Sequence, residues 1–125
     1  MAKTLPRPTE SELAILRILW RSGPSTVRQV VDLSEPGTGY TTILKLLQIM
    51  TEKGLVKRDD SERTHVFAPA QPEANTQRQL LDDLLDRAFG GSAQTLVLQA
   101  LSGSKPSRQE LAELRQLLNS LETRP

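Results

Sequence analysis

GYTTILKLLQIMTEKGLVKRDD, residues 39–60, places an apolar-faced helix, a glycine stop and a charged strand in immediate succession. At about 100° per residue, a helix from Thr41 to Lys53 puts Ile43, Leu46, Leu47 and Met50 on one face. Thr41, Lys45, Gln48 and Glu52 fall in a narrow arc opposite, with Thr42 and Ile49 at its margins. Gly54 is free to take the left-handed conformation that ends such a helix. LVKRDD and RTHVFAP then read as two strands about a turn at Asp60-Ser61-Glu62.

Outward from this stretch, three capping boxes mark helix starts: Thr9 with Glu12, Thr26 with Gln29, and Ser107 with Glu110. In each, the hydroxyl accepts from one free helix N–H and the acid or amide reaches back to another. The first predicts a helix from about Thr9 to Arg21, with Leu13, Leu16 and Trp20 on one stripe and Ile15, Ile18 and Leu19 widening it. The second predicts a short helix over Val27–Ser34, with Val30, Val31 and Leu33 inward and Arg28 and Asp32 outward. Pro36 and Gly37 stop it, because a residue before proline resists the helical region. Helix, short helix, helix and hairpin is the order of a winged helix-turn-helix, expected over residues 1–70.

AQPEANTQ, residues 70–77, reads as a junction to a helical domain over 71–125. Leu80, Leu81, Leu84, Leu85 and Ala88 define one helix that ends near Gly90-Gly91, and Ser92 to Leu101 defines another. The last helix carries Leu111, Leu114, Leu118 and Leu121 at the three-four-three spacing of a helix-packing seam. A chain of 125 residues buries only a modest core, so Leu81, Leu84, Leu85 and that seam are expected to meet a second copy. The fold class expected is mainly α with a small β-hairpin wing, followed by helices that dimerise.

Composition closes off other classes. The chain has no cysteine and one histidine, which removes disulfides, thiolate metal sites and His-rich metal sites. No metal site, cofactor or acid–base constellation is expected, and hence no enzyme. His65 reads as a wing residue, Trp20 as core, and Asp83 as an i,i+4 partner of Arg87. MAKTLPRP at the start has no apolar signal region, and Leu13–Trp20 is too short to span a bilayer, so the expected location is cytoplasmic. Net charge is only +1, with ten Lys/Arg against eight Asp/Glu in residues 1–70 and six against seven in 71–125. Charge alone therefore does not point to nucleic acid; geometry must.

That geometry is the polar arc of the third helix. In a helix-turn-helix the second helix of the motif enters the major groove and its first turns meet base edges and flanking phosphates. Threonine can touch a thymine methyl or donate to phosphate, glutamine can pair with adenine, and lysine can reach guanine or phosphate. Thr41, Thr42, Lys45 and Gln48 are the residues this places on double-stranded DNA. Lys57, Arg58 and Arg63 on the wing could straddle a phosphate backbone or simply keep an exposed wing soluble, and Asp59, Asp60 and Glu62 between them weaken the first reading. The plainer reading is that Thr41 caps the helix, and that Lys45, Gln48 and Glu52 form an ordinary solvated face. A protein-interaction module using the same face, or a small-molecule sensor with a cavity between dimer helices, also fits the pattern.

LRILWRSGPSTVRQVVDL, GYTTILKLLQIMTEKGLVKR and the closing Phe67 resemble the BlaI/MecI penicillinase-repressor family, from about Leu5 to Glu122. The resemblance implies a homodimeric winged-helix repressor on a palindromic operator. Tyr40, Thr41, Thr42 and Lys45 then lie on its recognition helix, and Arg58 and Arg63 on its wing. In the best-known members, a membrane-bound sensor metalloprotease relieves repression by cleaving within the stretch that here reads LVLQAL. The family has Asn-Phe at that bond; this chain has Gln99-Ala100. A copper-responsive branch relies on C-terminal cysteines, which this chain lacks.

Overall fold

The computed structural model describes residues 6–124; residues 1–5, at the start of MAKTLPRP, lie outside the described part. Eight elements follow in order: α1 (Glu10–Ser22), α2 (Val27–Leu33), α3 (Tyr40–Lys53), β1 (Val56–Asp59), β2 (Val66–Pro69), α4 (Glu73–Phe89), α5 (Ala93–Gly103) and α6 (Arg108–Glu122). The chain divides into two compact units, one through Leu81 and one from Asp82, so the division falls inside α4.

In the first unit, helix starts follow local chemistry. Thr9 and Glu12 exchange hydrogen bonds at the head of α1, at 2.8 and 3.2 Å, and Thr26 and Gln29 do the same at the head of α2. Gly54 closes α3 at φ +83°, its N–H reaching back into the last turn. Ile15, Leu16 and Leu19 of α1, Val27 and Val30 of α2, and Ile43, Leu47 and Met50 of α3 meet in one core with Leu55, Val56 and Phe67. This is the three-helix arrangement of a helix-turn-helix with a hairpin sealing its open side.

β1 and β2 pair antiparallel, Val56 opposite Pro69 and Arg58 opposite Phe67. The turn is wider than the expected Asp60-Ser61-Glu62: β2 begins at Val66, so Arg63, Thr64 and His65 belong to the loop. Ser25 adds a third rung that the sequence did not announce. Its N–H donates to the Phe67 carbonyl at 3.0 Å, and its carbonyl accepts from the Phe67 N–H at 2.8 Å. This two-bond bridge ties the α1–α2 connection to the wing and satisfies backbone groups that burial would otherwise leave unpaired.

Several expectations are corrected by packing. Leu33 is 56% exposed rather than inward: Val27, Val30 and Val31 supply the core side of α2, and Leu33, its last residue, lies outside that cluster. Trp20 does pack against the core as expected, partly buried, and its indole N–H donates to the Gln71 carbonyl at 3.1 Å. The junction residues are partly helical: α4 starts at Glu73, and Thr76 is buried in the first unit.

One ion pair joins the two longest helices of this unit. Glu12 is 2% exposed, and its Oε1 accepts from the Thr9 N–H and from the Lys53 ammonium at 2.6 Å. Burial pushes the Glu12 carboxyl towards its neutral form, but the Lys53 ammonium and the Thr9 N–H outweigh it and hold the group below its ordinary value of 4.5. A carboxyl lowered on folding stabilises the fold above its unfolded pKa, and that contribution is lost as pH falls through the folded value. Glu12→Gln should therefore flatten the acid limb of a stability-versus-pH curve below pH 4.5. Glu12→Ala should cost about 2–3 kcal/mol at neutral pH, a cap plus a charged hydrogen bond, read by urea denaturation.

In the second unit, α5 starts at Ser92 and α6 at the Ser107–Glu110 capping box, with bonds of 3.0 and 3.1 Å. No residue between 82 and 124 is buried. Leu84, Leu98, Leu117, Leu118 and Leu121 are each at least 49% exposed.

Candidate nucleic-acid interface

The face of α3 opposite the core is built from the first turn onward. Ile43, Leu47 and Met50 are at most 3% exposed and fix the rotation of the helix, so Tyr40, Thr41, Thr42, Lys45 and Gln48 must all point outward. Every one of them is exposed. The helix begins one residue earlier than the sequence suggested, at Tyr40, with Gly39 as its N-cap and no side-chain hydrogen bond closing the end. Thr41 is thus inside the helix and does not cap it. The hydroxyls of Thr41 and Thr42 sit beside uncapped helix N–H groups, a combination suited to an anion.

The wing contributes unevenly. Arg58 Nε lies 2.8 Å from Asp60 Oδ1, and His65 Nε2 lies 3.6 Å from the same oxygen. Asp59 is engaged locally as well: the Ser61 hydroxyl and N–H hold its carboxyl below the ordinary range, the N–H at 2.9 Å. The acidic residues set among the wing cations are therefore largely occupied within the loop. Among the described residues, Lys57 and Arg63 have no ion pair. A surface pair such as Arg58–Asp60 is weak, near 0–1 kcal/mol, and yields readily to a stronger acceptor.

Arg28 was legible only as an outward residue of α2. In the fold its guanidinium carbon lies 5.2 Å from the centroid of the Tyr40 ring. Nothing in the sequence pairs residues 28 and 40; the angle between α2 and α3, set by the core, brings them together.

Elsewhere, Leu81, Leu84, Leu118 and Leu121 are exposed, while Leu85, Leu111 and Leu114 are half-buried. Leu117, which the seam spacing passed over, is 54% exposed beside them on α6. Gln99 and Ala100 lie exposed within α5. Asp83 and Arg87 pair at 3.1 Å, as their spacing suggested. No group of three His, Asp or Glu side chains among the described residues could hold a metal, and no described helix is long and apolar enough to cross a membrane.

With the helix order, the hairpin and the outward face of α3 established, comparison with known proteins decides the family. The sequence pattern that defines the penicillinase repressors matches residues 8–120. The chain belongs to the penicillinase repressor family. It is 25% identical over 124 residues to a penicillinase repressor of Bacillus licheniformis, covering 98% of this chain and 97% of that one. A transcriptional regulator BlaI of Mycobacterium tuberculosis is 32% identical over 126 residues, covering 98% of this chain and 89% of its own. A solved probable transcriptional regulator from Pseudomonas aeruginosa aligns over 90% of this chain and 77% of its own, with 25% identity and a TM-score of 0.45. The winged helix-turn-helix fold is thus joined to a family of transcriptional repressors.

Proposed function

We propose that this penicillinase-repressor family member is a homodimeric repressor that binds a palindromic DNA operator, with α3 in the major groove and the wing beside it. The observation that carries the reading is the division of α3 into a buried face and an outward polar face that starts at an uncapped N-terminus. On this reading Thr41, Thr42, Lys45 and Gln48 meet base edges or flanking phosphates, and Arg58 and Arg63 approach the backbone.

Dimerisation rests on the second unit. Helices with no buried side chain cannot stabilise themselves, and each leucine fully covered by a partner contributes about 1.5–3 kcal/mol. A second copy presenting the same α4 and α6 leucines is the simplest self-complementary cover. Two half-site readers so linked bind cooperatively through effective concentration, so repression depends on the linkage as much as on base contacts.

That dependence also supplies a route to induction: a sensor protease cutting at Gln99–Ala100 would remove α6 with its leucines. A bond inside a helix must open before a protease can extend it, and α5, which has no buried side chain, opens at low cost.

Two variants test the proposal. On a duplex selected by the purified protein from a random pool, Lys45→Ala should weaken binding by about 1–3 kcal/mol relative to wild type, measured by fluorescence anisotropy. Equal wild-type affinity for a scrambled duplex would show instead a non-specific binder. Leu118→Asp should give monomers by light scattering and lower operator affinity by about 100-fold or more, because a charge is costly in an apolar seam. Dimers of wild-type size would place the interface elsewhere.

A further inference from the structure

Between the start of α2, the first turn of α3 and the wing loop lies an open cleft of about 280 Å³. Arg28, Tyr40, Arg63, Thr64 and His65 line it, and no Asp or Glu does. Three elements distant in sequence thus converge their cationic and hydroxyl groups on one hollow at the edge of the α3 face.

The state of each group matters. Arg28 lies over the Tyr40 ring, so its charge is held by the ring's face and needs no carboxylate. Among the described residues its side chain has no hydrogen bond or ion pair, which leaves the guanidinium donors available. Arg63 is unpaired in the same sense, whereas Arg58 outside the cleft is engaged with Asp60. His65 has the Asp60 carboxylate, which does not line the cleft, 3.6 Å away. Two free guanidiniums facing one hollow repel each other unless an anion sits between them. Planar guanidinium donors match phosphate oxygens better than any other side chain does.

We infer that Arg28, braced on Tyr40, and Arg63 clamp a single backbone phosphate of the operator in this cleft, tying α2, α3 and the wing to one point on the DNA. The inference rests on the operator-binding reading and sharpens it. Tyr40 becomes a positioning residue that orients Arg28, not a reader of bases. The clamp is indifferent to sequence: it sets the depth and register of α3, while Lys45 and Gln48 remain free to discriminate.

The test uses the full chain with two probes, the duplex selected from a random pool and a scrambled duplex of equal length. Arg28→Gln and Arg63→Gln should each lower affinity for both probes by the same factor, about five- to tenfold. Each should also reduce the slope of log affinity against log salt by about one phosphate. Tyr40→Leu should reproduce the Arg28→Gln loss, and Tyr40→Phe, which keeps the ring under Arg28, should lose distinctly less than Tyr40→Leu. Replacing the operator phosphates one at a time by methylphosphonate should reveal one position whose neutralisation weakens wild type but not the Arg28→Gln, Arg63→Gln double variant. Thermal melts check that each variant is folded; all three side chains are exposed, so melting points should stay close to wild type.

An unchanged salt slope in both arginine variants would overturn the clamp while leaving operator binding intact, provided wild type still prefers the selected duplex. A loss confined to the selected duplex would mean that Arg28 reads a base. Equal losses from Tyr40→Phe and Tyr40→Leu would remove the bracing role. A wild-type chain without DNA affinity would overturn this inference together with the reading beneath it.

Discussion

One buried carboxylate ties the start of the first helix of the winged-helix unit to the end of its third. Glu12 is placed by sequence at the third position of α1, where a capping box requires an acid or amide, yet its Oε1 also receives the Lys53 ammonium from the end of α3. An acid at a helix start and a lysine at a helix end each oppose the local end of a helix dipole, and here the two ends are brought together. The pair fixes where α3 finishes relative to α1. Since Ile43, Leu47 and Met50 fix its rotation, nothing is left free about which residues face outward. The exposure of Tyr40, Thr41, Thr42, Lys45 and Gln48 is a consequence of this internal anchoring.

A second anchor works on the wing. Ser25, in the connection between α1 and α2, exchanges two backbone hydrogen bonds with Phe67, and the Phe67 ring is buried in the core. The hairpin is therefore held at its base by both main chain and side chain. A two-stranded hairpin on its own is at best marginally stable in water, so this attachment allows a wing of four-residue strands to keep its loop beside α3. Arg28, Tyr40 and Arg63 share a cleft for the same reason.

The second unit follows a different logic. Its helices are well specified locally, by Ser92 at the head of α5 and the Ser107–Glu110 box at the head of α6, but their apolar faces are at most half-covered within the unit. Local capping decides that such helices form; burial decides what they are for. The winged-helix unit thus carries a core of its own, whereas the second unit holds helices without one.

What the sequence determined by itself is periodicity and punctuation. Three capping boxes, the glycine after Lys53 and the apolar spacing of α1 and α3 depend only on neighbours within a few residues, and all of them appear in the fold. The family resemblance carried by LRILWRSGPSTVRQVVDL and GYTTILKLLQIMTEKGLVKR was legible in the same way, and the match over residues 8–120 bears it out. Tertiary structure alone decided the rest: the exposure of Leu33, the Ser25 rung, the Lys53–Glu12 pair and the meeting of Arg28 with Tyr40. The Glu12–Lys53 pair spans 41 positions and the Ser25–Phe67 rung joins chain segments just as distant. Such contacts depend on how helices cross and where a hairpin docks, which the packing of the whole core sets and no local pattern encodes.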